Sequence, residues 1–183
     1  MLLAQLQSVV EFWFSDRVKE KWWDKDTQFD QEIKEKFLNL HRELANQNLD
    51  QYLNSAESAL AVVIVLDQFS RNMFRDSAES FAYDEKALKF AKSALAQGLD
   101  QKLSDDKVAF LYMPFMHSEK PQDHEKAVQL FSSRKALENN LEFEHAHKKI
   151  IDRFGRYPHR NEILGRESTP EEIEFLKEPN SSF

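Results

Sequence analysis

Arginine is the residue type whose placement in this sequence most suggests chemistry. Six of the nine arginines fall in two short windows, residues 66–75 and 153–166, and neither window contains any of the sixteen lysines. A guanidinium group presents a planar fork of donors that matches a carboxylate or a phosphate, and lysine cannot reproduce that geometry. The distribution predicts a site or a network that depends on guanidinium geometry rather than on positive charge alone.

The candidate ligand-binding residues are the arginine and asparagine side chains of these windows. They are Arg71, Asn72, Arg75, Arg153, Arg156, Arg160 and Asn161. Several guanidinium groups cannot share a small region unless anions neutralise them. Those anions are either carboxylates of the protein, such as Asp67, Asp84 and Glu119, or a bound ligand. Two hypotheses therefore remain open, a pocket for an anionic small molecule and an ion-pair network that fixes the C-terminal segment to the centre.

Four further side chains are candidates for acid–base catalysis, namely His117, Glu119, His159 and Asp67. Histidine titrates near neutral pH, so His117 or His159 would be the acid or base of an enzyme that acts on an anionic metabolite. The sequence contains no nucleophile-elbow motif, and sequence neighbours such as His117 and Glu119 rarely meet in the geometry of a catalytic triad. Whether the protein is an enzyme is left undecided.

A metal site is less well supported. The segment with Glu142, Glu144, His145 and His147 contains the Glu-x-x-His spacing of some helical carboxylate sites. A di-metal bundle needs this spacing on two helices, and only one segment supplies it. The chain has no cysteine, which excludes a thiolate site. We predict neither a metal nor a cofactor.

The stretch 55–75 must position the first arginine window. Residues 59–66 carry no polar side chain, so a helix there must be buried on every side. The polar end that follows needs partners or a cavity. A run this long without glycine or proline exceeds an ordinary strand, and a serine precedes it at the N-cap position. We predict a helix in which Asp67, Arg71 and Arg75 share one face.

Helical spacing of hydrophobic residues predicts further helices on both sides of this stretch. The expected segments are 3–14, 27–47, 49–53, 78–97, a helix that follows Ser104 and is kinked at Pro114, 121–138, 141–154, 158–164, and a last helix capped by Ser168 or Thr169 with Pro170 and Glu172 in its first turn. Three glycines and five prolines are few for 183 residues, which is typical of an all-helical fold. We predict about eight helices in antiparallel pairs, a right-handed tetratricopeptide-like arrangement without a recurring repeat signature.

Two adjacent tryptophans, Trp22 and Trp23, lie in a charged connection between the first two of these helices. Neighbouring residues cannot share one helix face. We therefore expect one indole ring to pack in the core and the other to cover an edge.

Length and composition indicate one helical domain, residues 1–178, with a loose tail at 179–183. The net charge of −7 argues against nucleic-acid binding, which requires a basic surface. No apolar run is long enough to span a bilayer, and the N-terminus lacks the basic residues of a signal peptide. We expect a cytoplasmic protein without a membrane or nucleic-acid partner, and the oligomeric state stays open.

Three motifs resemble those of a known family. LDQFSRN (66–72), FLYMPFMHSE (110–119) and HKKIIDRFGRYPHRNEILGRESTPEE (147–172) are similar to the signatures of an uncharacterised bacterial family, domain of unknown function 924. The resemblance runs nearly from end to end and implies an all-helical, tetratricopeptide-like fold. It implies no reaction, substrate or catalytic residue. Ser70 stands where the family often has proline, and His124 where it often has glutamine.

Two classes of function follow from these observations. In the first, the protein binds or converts an anionic small molecule that carries a phosphate or a carboxylate. In the second, it is a helical-hairpin module that holds an acidic peptide, and its arginines form a structural ion-pair network. A closed pocket would favour the first class, and an exposed concave groove would favour the second.

Overall fold

The computed structural model describes residues 2–182, so the first residue of the predicted domain and the last of the predicted tail lie outside the described residues. The α-helices are α1 (Leu2–Trp13), α2 (Asp16–Lys19), α3 (Thr27–Asn46), α4 (Ala56–Val63), α5 (Ser70–Met73), α6 (Asp84–Ala96), α7 (Asp105–Met116), α8 (Pro121–Ser132), α9 (Glu138–Phe154) and α10 (Pro170–Phe175). Short 3₁₀ turns occupy Asp50–Asn54, Ala78–Phe81, Asp100–Lys102, Lys135–Leu137 and Pro158–Arg160.

The prediction of an all-helical fold is confirmed, because no strand occurs between residues 2 and 182. A π-helical segment, Ile64–Phe69, joins α4 to α5 without a break. If these three are counted as one helix, residues 2–182 form nine helices, close to the eight expected. The tetratricopeptide-like arrangement stays a prediction. In the part of the chain that the structure describes, no helix is both long and apolar enough to cross a membrane.

Three predicted helices are shorter or divided in the structure. The segment 78–97 divides into the 3₁₀ turn Ala78–Phe81 and helix α6, the segment 121–138 ends at Ser132, and only the 3₁₀ turn Pro158–Arg160 of the segment 158–164 is helical. The breaks after Phe81 and after Ser132 contain no glycine or proline, so no helix-breaking residue in the sequence marked them. Pro114 lies inside α7, which continues to Met116.

The central rod, α4 with the π-helical segment and α5, is the most deeply buried part of the fold. Every residue from 59 to 66 is fully buried, as the absence of polar side chains predicts. Ser55 caps the rod, since its hydroxyl accepts a hydrogen bond from the Ser58 amide at 3.1 Å. The rod is packed by α1, α3, α6 and α7. Because it lies among four helices, its polar end at Asp67 is also enclosed.

The C-terminal segment docks through a second, smaller hydrophobic cluster. Thr169 and Glu172 form the predicted capping box of α10. Phe175 packs against Phe154, with 4.9 Å between ring centroids. Ile173 has 48% of its surface exposed, because this short helix buries the face of Glu172 and Phe175, which are three residues apart.

Candidate functional site

A pair formed by the buried Asp67 and the partly exposed His117 lies where the central rod turns from apolar to polar. Asp67 lies within the π-helical segment and has no exposed surface. Its Oδ1 atom is 2.7 Å from Nδ1 of His117, the C-cap residue that follows α7, and its Oδ2 accepts a hydrogen bond from Gln68 at 2.6 Å. Single π turns inserted in α-helices occur frequently at functional sites. The sequence predicted both side chains as candidates but gave no sign of the π turn.

The charge state of Asp67 fixes the tautomer of His117. Burial raises the pKa of Asp67, but the interactions with His117, Arg71 and Gln68 outweigh it, so this pKa lies below the ordinary value of an aspartate. An ionised carboxylate can only accept hydrogen bonds, so Nδ1 of His117 must carry the hydrogen. The lone pair of a neutral imidazole then resides on Nε2.

The imidazole ring of His117 keeps one nitrogen that can accept a proton. Burial and the nearby Arg71 lower its pKa, and these effects outweigh the opposing charge of Asp67, so the ring is neutral at pH 7. The side chain keeps 15% of its surface exposed, and within residues 2–182 its Nε2 atom makes no hydrogen bond. Such a nitrogen can take a proton from a bound molecule, while Asp67 holds the ring and stabilises the imidazolium that forms.

The two arginine windows meet beside this pair. Arg71 donates from Nη1 and Nη2 to the two oxygens of Asp84, at 2.8 and 2.9 Å, and its Nη1 also contacts Asp67 at 3.2 Å. Arg160 reaches the same Asp84 with Nη1 at 3.3 Å, and its Nη2 donates to the backbone carbonyl of His117 at 3.0 Å. We call Asp67, Arg71, Asp84, His117 and Arg160 the central cluster.

Arg160 is the least completely neutralised member of the central cluster. Its guanidinium carbon lies 4.5 Å from the ring centroid of Phe81 and 4.6 Å from that of Tyr157. The side chain is buried, and its Nε atom has no hydrogen-bond partner among the described residues. Burial lowers the pKa of Arg160, and the charge of Arg71 adds to that effect against the attraction of Asp84. The group stays charged at pH 7 and lacks a carboxylate of its own.

Arg75 and Asn72 lie outside the central cluster. Both bind Asp30 of α3, Arg75 through Nε and Nη2 at 2.6 and 2.9 Å and Asn72 through Nδ2 at 2.7 Å. The shared face that we predicted for Asp67, Arg71 and Arg75 is thus limited to the first two. The helix ends at Met73, so Arg75 does not continue that face.

A second group of ion pairs fixes the chain after α9. Arg156 binds both oxygens of Glu172, at 2.7 and 2.8 Å, and Arg166 binds both oxygens of Glu119, at 2.7 and 3.0 Å. Asn161 connects the two pairs, donating to Glu172 at 3.2 Å and accepting from Arg166 at 2.9 Å. We call these five residues the C-terminal clamp. Its arginines are each matched with one carboxylate, which is the arrangement of the ion-pair network hypothesis.

Two remaining candidates occupy different surroundings. Arg153 is paired with Glu171 at 2.9 Å on the surface and contributes to neither group. Burial and the charge of Arg160 lower the pKa of His159 to about 4, so this histidine is neutral at pH 7. Its ring centroid lies 5.5 Å from that of Tyr157.

Sequence reasoning missed one buried pair entirely. Nε2 of His124 is 2.7 Å from the Ser118 carbonyl, which can only accept, and Nδ1 lies 2.8 Å from Oε1 of Glu144. Burial raises the pKa of Glu144. Glu144 belongs to the segment 142–147, whose Glu-x-x-His spacing suggested that Glu144 and His147 could bind a metal together. His147 instead directs its Nδ1 to the Phe143 carbonyl at 2.7 Å.

Comparison with known proteins gives a family and a fold but no activity. A family model described as "Bacterial protein of unknown function (DUF924)" matches residues 9–180. A solved structure of a protein of unknown function from Agrobacterium tumefaciens is 39% identical, with a TM-score of 0.90, and the match covers 97% of this chain and 99% of that chain. No protein of curated function matches the sequence.

Proposed function

We propose a function on the premise that this chain belongs to the bacterial protein family of unknown function DUF924. The central cluster binds a small anionic molecule, and His117 serves that molecule as a general base. Since the family has no assigned activity, the proposal rests on the geometry of this chain.

The observation that carries the proposal is the adjacency of an oriented base and an incompletely neutralised cation. Arg160 donates to the backbone of His117 at 3.0 Å, and His117 in turn is held by Asp67 at 2.7 Å. A structural ion pair needs neither an unpartnered guanidinium nitrogen nor an imidazole nitrogen that faces outward. A substrate with a carboxylate or a phosphate beside an acidic proton would bind the guanidinium group of Arg160 and give the proton to His117.

The central cluster lies outside the two surface clefts of about 320 and 310 Å³, whose walls include neither Arg71, Arg160 nor His117. An anion bound at the cluster would have to be small. An anion that reaches Arg160 must therefore compete with Asp84, which holds both arginines. The weak 3.3 Å contact between Arg160 and Asp84 is the one that such an anion would replace most easily.

Thermal denaturation with a panel of phosphate- and carboxylate-bearing metabolites tests this proposal. A ligand at one hundred times its dissociation constant stabilises the folded state by about 2.7 kcal/mol. Each kcal/mol moves the melting temperature of a chain of this size by roughly 2–4 °C, so a bound anion should raise it by roughly 5–10 °C. In Arg160→Lys the shift should vanish, because lysine keeps the charge but loses the fork.

Arg153→Lys is the matched control, since Arg153 forms an exposed ion pair away from the cluster. Its response to the same anion should equal that of the parent protein. The proposal is wrong if no anion in the panel raises the melting temperature, or if both variants lose the shift equally.

A second candidate function is a helical interaction module that holds an acidic peptide. The C-terminal clamp favours it, because the one-to-one pairing of arginines with carboxylates is the arrangement that this hypothesis expects. Under this alternative, Arg71→Lys and Arg160→Lys both lower the melting temperature, and no small anion raises it in the parent protein. The metabolite panel therefore distinguishes the two candidates.

A further inference from the structure

A cleft of about 320 Å³ is lined by none of the residues of the central cluster or the C-terminal clamp. Its walls come from the connection before α3, from α7 and from the start of α9. The residues that matter for its chemistry are Trp22, Trp23, Asp105, Phe110, Met113 and Asn140. The volume lies at the lower end of the range of small-molecule sites.

Aromatic rings form one wall of this cleft. Trp22 is fixed by a hydrogen bond from its Nε1 to the Trp13 carbonyl at 3.0 Å, and its ring centroid lies 4.6 Å from that of Phe110. Trp23 lies parallel to Phe110, with an angle of 8° between the ring planes, and exposes 69% of its surface. This confirms the expectation that one tryptophan packs and the other covers an edge, and it leaves a large indole face open to a ligand.

Acidic side chains stand at the mouth of the cleft. Asp105 and Asp106 both line it, at the start of α7. Oδ1 of Asp105 accepts a hydrogen bond from Nη1 of Arg134 at 2.9 Å. Its Oδ2 accepts no hydrogen bond within the described part of the chain. Asp105 therefore keeps one oxygen that can accept a hydrogen bond from a positively charged group. Because ion pairs near the surface contribute little to stability, replacing Arg134 as the partner of Asp105 costs little free energy.

We propose that this cleft binds a small organic cation of the alkylammonium class. Indole faces attract such cations through the ring quadrupole, and tryptophan does so most strongly. Asp105 supplies the counter-charge, and the net charge of −7 on the chain draws cations towards the surface. The inference does not depend on the proposed function, because it uses no residue of the central cluster.

The test uses choline and its neutral isostere 3,3-dimethylbutan-1-ol, which have the same shape and differ in charge. Saturation-transfer-difference NMR follows the methyl signals of each compound in the presence of the full chain. The parent protein should give a saturable signal with choline and none with the alcohol. Trp23→Ala should abolish the choline signal, and Asp105→Asn should raise the apparent dissociation constant about tenfold.

Glu57→Gln is the control for the loss of an exposed, ion-paired carboxylate, since Glu57 lines a different cleft and pairs with Lys107. This variant should bind choline as the parent does. Equal signals from choline and the alcohol would overturn the proposal in favour of a merely apolar cleft. No saturable choline signal, or a signal that survives in Trp23→Ala with an unchanged melting temperature, would also overturn it.

Discussion

The central cluster and the C-terminal clamp are built from the same residue types and differ in how charges are matched. In the clamp, Arg156 and Arg166 each hold both oxygens of one carboxylate. In the central cluster, Arg71 and Arg160 share Asp84. The formal charges balance in both groups, but the charge of Asp67 is directed to His117, Gln68 and Arg71 rather than to Arg160.

This difference shows that clustered arginines do not all have the same role. One-to-one bidentate pairing satisfies both partners, which leaves little reason for a ligand to enter. Shared pairing around the partly exposed His117 leaves the Nε atom of Arg160 without a partner among the described residues, and our proposal places the added anion there. The predictions below separate the two regions by stability, by pH dependence and by ligand response.

The largest effect is expected from Asp67→Ala in the central cluster. The substitution removes the partner of His117 and a partner of Arg71 at a carboxylate with no exposed surface, while those two side chains are 15% and 21% exposed. Breaking a buried pair in this way costs about 3–5 kcal/mol of unfolding free energy. Urea denaturation at pH 7 measures this loss.

Glu119→Ala provides the matched loss of a carboxylate from the clamp, in which both partners are about one-quarter exposed. Solvent can hydrate the arginine that remains, so we expect a loss of about 1–2 kcal/mol. A larger loss in Glu119→Ala than in Asp67→Ala would reverse the ranking of the two regions.

An intermediate effect is expected from acid titration of the clamp. The hydrogen bonds from Arg156, with smaller contributions from Thr169 and Asn161, lower the pKa of Glu172 to about 2 from an ordinary value of 4.5. Because the folded-state pKa is depressed, this carboxylate stabilises the fold above pH 4.5, and the stabilisation is lost as the pH falls towards 2. The contribution is roughly 2–3 kcal/mol.

Glu172→Gln should remove that contribution. Its unfolding free energy, measured in urea between pH 2.5 and pH 7, should depend less steeply on pH than that of the parent protein. The Glu172→Gln variant still contains Asp67, whose pKa is also lowered, so some pH dependence should persist in it. An unchanged pH profile would show that the Arg156–Glu172 pair does not stabilise the fold.

The smallest effect is expected from Arg153→Lys. The Arg153–Glu171 pair is exposed on both sides, and such pairs contribute less than about 1 kcal/mol. The guanidinium also lies 4.7 Å from the ring centroid of Phe154, a contact that lysine partly retains. A loss in thermal or urea denaturation well above this value would place Arg153 within the clamp.

Local patterns in the sequence predicted much of the fold. The apolar run 59–66 predicted a buried helix, which the structure contains. The capping residues Thr169 and Glu172 predicted the start of the last helix correctly. These features depend on neighbours within four residues. The π turn at Asp67 was not predictable, because its extra residue is accommodated by the surrounding helices and has no local signature.

The candidate site was predictable only in part. The absence of lysine from both arginine windows identified Arg71 and Arg160, which do meet at Asp84. The partner of Arg75 was missed, because Asp30 lies 45 residues away and helix packing alone brings it near. Side-chain pairing over such distances depends on crossing angles and on the ends of helices, which hydrophobic periodicity does not specify.

The most direct test of the central claim is an NMR titration of the labelled protein with inorganic phosphate. The resonances to follow are the Nε–H groups of Arg160, Arg156 and Arg166 and the ring nitrogens of His117. The account predicts saturable changes at Arg160 and His117 and no change at the two clamp arginines. Equal changes at all three arginines, or none at Arg160, would contradict it.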